Sequence, residues 1–158
     1  MGANQLLDIE RRIELAGLEL LKAWTLLTGL TTAARVRRAR DKSQKADYPA
    51  GTIEGAMFTQ FGRDTGNYDG LIRLSALSHQ ADDKDRIIVQ KILGALRGFL
   101  QQENLVAQMN ATVSAIAAGT ELTVIYIECN GTEYESLETE RVNELVLEAR
   151  IVAYPSRA

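Results

Sequence analysis

Hydrophobic positions at three- and four-residue spacing predict a helix at the start of the chain. From about residue 5 to residue 27, apolar side chains recur at the spacing of one helical face. Gly29 stands where a helix is expected to stop. The apolar positions are Leu6, Ile9, Ile13, Ala16, Leu20, Trp24 and Leu27. The charged positions between them, expected in solvent, are Glu10, Arg11, Arg12, Glu14, Glu19 and Lys22.

Alternating polar and apolar positions predict strands further along the chain. Residues 34–40 are interpreted as a short edge strand, and residues 52–61 and 68–80 as an antiparallel hairpin. A β-rich segment follows at 121–129, and the final strand runs over 142–154. In this last strand apolar residues alternate with charged ones, which predicts one buried and one wet side.

Polar segments separate the predicted strands. Loops are expected to be mobile near residues 41–51, 62–67 and 130–140, and Asn130-Gly131 is a strong signal for a hairpin turn. The sequence has no internal repeat and no linker that would divide two domains. Residues 1–158 are therefore predicted to form a single domain.

Two further helices are predicted between the strands. Asp82, Asp83 and Asp85 precede an apolar helical stripe that ends near Gln101, because acids at a helix start accept hydrogen bonds from its free amides. A shorter helical segment runs from about residue 104 to residue 118. The element order predicts an α+β fold, with an antiparallel sheet of about four to five strands and two main helices on one face.

The residue types that carry catalysis are scarce. The chain has one histidine, His79, and one cysteine, Cys129, and it contains neither a Gly-x-Ser-x-Gly motif nor a phosphate-binding loop. Cys129 is expected to be structural, and the acids near Asp82 suit helix capping better than a cation site. No catalytic residue, cofactor site or metal site is predicted. No signal peptide or membrane span is recognisable, which predicts a soluble intracellular protein.

A net charge of −3 conceals two segments of opposite sign. Residues 35–45 carry a net charge of +5, and residues 128–148 carry −6. Both could be solvated faces, or they could meet between neighbouring copies or with partner proteins. A duplex-binding patch is disfavoured because no aromatic residues are interleaved with the bases. The candidate interface residues are Arg35, Arg37, Arg38, Arg40, Lys42, Glu133, Glu135, Glu138 and Glu140.

The order of elements from Tyr68 onward carries a resemblance. The strand that begins Tyr68-Asp-Gly-Leu-Ile-Arg leads into Asp82-Asp-Lys-Asp-Arg86, and the helix 87–100 follows. Next come a strand with Val124-Ile-Tyr-Ile, an acidic hairpin and a closing strand at 145–154. Together with the preceding amphipathic helix, this order resembles the tail terminator (tail completion) proteins of long-tailed bacteriophages.

This resemblance implies an α+β subunit that assembles into a hexameric ring. Such a ring caps the tail tube and joins it to the head–neck connector, in the virion tail or neck after assembly in the host cytoplasm. The implied partners are further copies of the chain, the tail tube protein, a connector or adaptor protein and, in a contractile tail, the sheath. DNA only passes through the hole. Reversing the charge of Arg35, Arg37, Arg38 and Arg40 is then expected to block assembly without unfolding the subunit.

Two other functions stay open at this point. One is a homo-oligomeric α+β ligand-binding or regulatory domain, whose pocket lies between subunits and is lined by His79. The other is a weak enzyme that uses His79 together with Asp82 or Asp83. A His79→Ala variant with normal behaviour would eliminate the enzyme.

Overall fold

Four α-helices and five strands make up the part of the chain that a computed structural model describes, which is residues 3–39, 48–61, 67–116, 122–137 and 141–155. A short 3₁₀ turn at Ala33–Arg35 leads into the first strand. The elements in chain order are α1 (Ala3–Lys22), α2 (Thr25–Thr28), β1 (Val36–Arg38), β2 (Ala50–Phe61), β3 (Asn67–His79), α3 (Ile87–Leu100), α4 (Leu105–Ile116), β4 (Leu122–Leu137) and β5 (Val142–Pro155).

The strands form one sheet in the order β1-β2-β3-β5-β4. β2 with β3, β3 with β5 and β5 with β4 are antiparallel, whereas β1 runs parallel to β2. The α+β class and the five-stranded sheet are therefore confirmed, although the sheet is not wholly antiparallel. The weak edge strand predicted at 34–40 is β1, which is three residues long.

One side of the sheet packs against the helices. Alternate residues of β3 and β5, among them Leu74 and Leu147, are buried in one hydrophobic cluster with Ile13 of α1, Ile92 of α3 and Met109 of α4. A buried side formed by alternate residues was predicted for the final strand, β5. Three substantial helices, rather than two, cover this side, because the short segment after residue 104 forms α4. No helix in the described ranges is long and apolar enough to span a membrane.

The opposite side of the sheet carries charged pairs between neighbouring strands. Arg73 of β3 bonds Glu148 of β5 at 2.7 Å, and Arg150 of β5 bonds Asp69 of β3 at 2.7 Å. The hydrogen bonds from Arg150 hold the pKa of Asp69 below its ordinary value. These charged positions alternate with the core positions along each strand. Other residues on the same side, such as Val146, are buried as well, so this side is charged only in part.

The first helix ends earlier than predicted. α1 stops at Lys22, and Trp24 adopts an extended backbone with φ −77° and ψ 102° before the one-turn α2. The Trp24 indole N–H donates to the carbonyl of Ala95 at 2.8 Å, and its ring meets Phe99 edge-on. The prediction of one helix to residue 27 was wrong because Trp24 leaves the helix to hold α2 against α3.

β4 extends well beyond its predicted end. Residues 130–137 belong to the strand, so the expected mobile loop near 130–140 was wrong for them, and residues 138–140 lie outside the described residues. Asn130-Gly131 is not a hairpin turn; the pairing with β5 shifts register between Cys129 and Gly131 instead. Gly131 has φ +147°, which a bulge in a strand accommodates when the residue is glycine.

The two other predicted loops are only partly described. Ala50 and Gly51 already belong to β2, and Asn67 belongs to β3, so these positions were wrongly assigned to loops. Residues 41–47 and 62–66 lie outside the described residues.

Alanine substitutions at two glycines, one in a crowded and one in an open environment, test the packing of this fold. A Cβ at Gly70 would lie 2.5 Å from Cδ1 of Phe58, whereas a Cβ at Gly94 in α3 would meet nothing within 4 Å. Gly70→Ala is expected to lower the free energy of unfolding by about 1–3 kcal/mol through overpacking. Gly94→Ala, the matched control, should raise it by about 0.5–1 kcal/mol because alanine favours the helix. Urea unfolding measures both, and equal stability of the two variants would contradict the packing of Phe58 on β3.

Candidate interaction edges of the sheet

The two oppositely charged segments lie at opposite edges of the sheet. β1 carries Arg37 and Arg38 at one edge, and β4 carries Glu133 and Glu135 at the other. Three strands, β2, β3 and β5, separate the two edges. Arg35 is the last residue of the 3₁₀ turn before β1. The other candidates, Arg40, Lys42, Glu138 and Glu140, lie outside the described residues.

Arg38 turns inward from the basic edge. Its Nε donates to one carboxylate oxygen of Glu14, a residue of α1 that is fully buried. The second carboxylate oxygen of Glu14 accepts the backbone N–H of Gly55 at 3.0 Å. Next to β1, the Ala39 amide donates to the Ile53 carbonyl at 2.9 Å. Glu14 therefore supplies β2 with an acceptor where β1 has ended, and Arg38 belongs to the fold.

Arg37 lies over an aromatic pair at the same edge. Its guanidinium carbon is 5.6 Å from the centroid of the Tyr48 ring, within the range of a cation–π contact. Tyr48 in turn meets His79 edge-on, with ring centroids 4.6 Å apart. The chain's one histidine thus packs in a contact that joins the end of β3 to the residues next to β1. Arg35 is half-buried.

The acidic edge is fixed along its length by pairing with β5. Glu128 is the Cα partner of Arg150, Glu133 of Val146 and Glu135 of Glu144. Near the start of β4 the Tyr126 hydroxyl donates to the Glu128 carboxylate, which raises the pKa of Tyr126 above its ordinary value. Exposed apolar side chains gather at this end of the strand: Ile125, Tyr126 and Tyr154.

Register aligns the basic positions with the acidic ones across the whole sheet. One row of Cα partners runs from β1 to β4 and contains Arg37, Thr52, Ser75, Val146 and Glu133. The second row beyond it, towards the start of β1, begins at β2 and contains Ala50, Leu77, Glu144 and Glu135. Arg35, the last residue of the 3₁₀ turn, precedes Val36, whose partner is Gly51, so Arg35 follows the strand end that faces this row. Arg37 and Glu133 therefore occupy the same height on opposite edges, and Arg35 and Glu135 lie beyond them towards the same end of the sheet.

One of the acidic residues before α3, Asp83, accepts hydrogen bonds from the start of that helix. The Asp83 carboxylate accepts the amides of Ile88 and Val89 at 3.0 Å each and the Ser78 hydroxyl at 2.8 Å. The Asn143 side chain donates to the Asp83 carbonyl at 2.8 Å and to the Ser78 hydroxyl. The predicted capping role is confirmed for Asp83, although the helix begins only at Ile87. Within the described residues, no three His, Cys, Asp or Glu side chains are grouped to hold a metal ion.

Sequence reasoning missed two features of these regions. Glu14 was placed on the wet side of the first helix, yet it is fully buried, and Arg12 is buried as well. The network of Ser78, Asp83 and Asn143 was not anticipated because its members are 5 and 60 residues apart in the chain. Cys129 packs half-buried against the core, in line with its expected structural role.

The fold is similar to that of a chain in a solved structure described as the virion of a native gene transfer agent (GTA) particle. The TM-score is 0.53 at 11% sequence identity, and the alignment covers 81% of this chain and 84% of that chain. No protein-family model matches the sequence, and neither does any curated protein. At this identity the similarity concerns the fold.

Proposed function

We propose that this protein is a structural subunit of a phage or phage-like virion and acts as a tail terminator. Copies assemble into a ring that caps the tail tube and joins it to the head–neck connector. The observation that carries the proposal is the fold similarity to a virion chain, which extends over 81% of this chain and 84% of the other. The element order from Tyr68 onward, which resembles tail terminators, points the same way.

The separation of charge onto two edges supports assembly into a ring. A head-to-tail contact joins two different surfaces of the same subunit, and repetition closes a ring when the rotation divides a full turn. A basic edge and an acidic edge on opposite sides of one sheet are two such surfaces. Complementary charge also favours the correct partner over incorrect ones.

A structural role without catalysis is consistent with the surroundings of the reactive residues. His79 packs against Tyr48, and the Asp83 carboxylate accepts three hydrogen bonds from Ser78 and α3. We extend the proposal to the partners, namely the tail tube protein, a connector or adaptor protein and, in a contractile tail, the sheath. DNA passes through the ring, and the protein resides in the tail or neck of the virion.

Electron microscopy of the purified protein tests this function. We expect sixfold rings in negative stain, alone or on the ends of added tail tubes, and a ring mass of six times the 17.4 kDa of one chain. Light scattering after size exclusion measures the mass. Compact dimers or trimers that do not bind tube ends would contradict the proposal and favour a ligand-binding or regulatory domain instead.

A further inference from the structure

We propose that β1 of one copy pairs antiparallel with the outer edge of β4 in the next copy, beside residues 132–134. The sheet then continues from subunit to subunit around the ring. This inference rests on the proposed function, because it names the contact by which the copies associate. Its partner is a second copy of the chain, and its charged pairs are Arg37 with Glu133 and Arg35 with Glu135.

Both strands have an open side in the described part of the sheet. β1 pairs only with β2, and β4 pairs only with β5, so each ends the sheet. An edge strand presents backbone N–H and C=O groups that a further strand can bond. The 16 residues of β4 offer a long edge, and the three residues of β1 need only a short part of it.

Strand direction allows the two edges to join. β1 is parallel to β2, and the next three pairings along the sheet are all antiparallel. β4 therefore runs opposite to β1. Two copies joined head to tail without inversion keep the same sheet orientation, so β1 of one meets β4 of the other as an antiparallel pair.

Register brings opposite charges together in that pair. Arg37 and Glu133 occupy one row of the sheet, and Arg35 and Glu135 both lie beyond that row towards the same end of the sheet. Joining the copies without a shift along the strands places each arginine beside its glutamate. An antiparallel register requires the residue numbers to run in opposite directions, and 35 with 135 and 37 with 133 satisfy this. Opposite charges directly across two strands stabilise their pairing.

The basic edge holds one of its cations in place. The contact with the Tyr48 ring keeps the Arg37 guanidinium beside the strand that is to be joined.

Charge reversal followed by mixing tests the pairing. One variant carries Arg35→Glu and Arg37→Glu, and the other carries Glu133→Arg and Glu135→Arg. Each alone is expected to lose at least tenfold in ring yield by negative stain and light scattering. An equimolar mixture should recover rings, because each altered edge finds its complement and the two variants alternate around an even-numbered ring. Recovery also demonstrates that both variants are folded.

A matched control uses two exposed charges of α1. Glu19→Arg with Lys22→Glu reverses two exposed charges that belong to neither β1 nor β4 and should leave ring yield unchanged. A loss of rings in this control equal to that of the edge variants would overturn the pairing. So would single variants that assemble normally, or a mixture that does not recover.

Disulfide trapping locates the contact. In a Cys129→Ser background, Arg37→Cys with Glu133→Cys should give a covalent ladder in steps of 17.4 kDa on non-reducing gels. The control pair, Arg37→Cys with Glu128→Cys, moves one thiol five residues along β4, which is about 17 Å, and should give no ladder. Wild-type rings without either ladder or complementation would overturn the pairing and leave the proposed function standing. If the wild type forms no rings, either in solution or on tube ends, the pairing and the proposed function are both overturned.

Discussion

Replacing Glu14 with alanine is expected to lower the free energy of unfolding by about 3 kcal/mol. Glu14 is fully buried, and its two carboxylate oxygens accept the Arg38 guanidinium and the Gly55 amide. The alanine variant leaves a largely buried cation without its carboxylate and removes the acceptor of a buried N–H. Both losses are much larger than the effect of removing an exposed charge.

Urea unfolding at neutral pH measures this loss. The matched control is Glu19→Ala, which removes an exposed glutamate from the same helix and should change stability by less than about 0.5 kcal/mol. A difference of less than about 1 kcal/mol between Glu14→Ala and the wild type would show that the Glu14–Arg38 ion pair contributes far less to stability than its burial indicates.

The ion pair between Glu14 and Arg38 also changes how the basic edge can be tested. Reversing four arginines was expected to block assembly without unfolding the subunit. Arg38→Glu would place a second carboxylate against buried Glu14, so this part of the fourfold change acts on the fold. Arg35 and Arg37 carry the test instead, because Arg35 ends the 3₁₀ turn before β1 and the Arg37 guanidinium lies over the Tyr48 ring.

The sequence predicted the strands best where burial follows the strand period. In β5 every second residue from 145 to 153 enters the core, so Leu147 could be assigned to the buried side from alternation alone. Glu14 could not be assigned, because an acid on an amphipathic helix is expected in solvent. Its true partner, Arg38, lies 24 residues away, and only the tertiary fold brings them together.

The Asn130-Gly131 segment has a local structure that the sequence did not predict, for a different reason. A hairpin turn and a bulge both use glycine at positive φ, so the local sequence does not distinguish them. The pairing of β4 with β5 on both sides of Gly131 decides for the bulge. The net charge of each edge segment, in contrast, could be predicted from composition. The alignment of Arg37 with Glu133 could not be predicted, because it depends on the registers of four successive strand pairs.

The second large effect is expected at Asp83. Asp83→Ala should lower the free energy of unfolding by about 2–3 kcal/mol at pH 7, because two amides of α3 and the Ser78 hydroxyl lose their acceptor. Asp83 is buried, so water does not replace these bonds readily. Asp82→Ala is the matched control, since Asp82 is exposed and adjacent.

This effect should depend on pH. Burial of Asp83 opposes ionisation, but the hydrogen bonds from Ile88, Val89 and Ser78 outweigh it and hold the pKa below its ordinary value. A depressed folded-state pKa contributes stability above the unfolded pKa of about 3.9, and the contribution is lost as pH falls through the folded pKa. The difference between wild type and Asp83→Ala should therefore be smaller at about pH 3 than at pH 7. Urea unfolding at both pH values measures it, and a difference that stays constant while Asp82→Ala remains near zero would contradict the role of the ionised carboxylate.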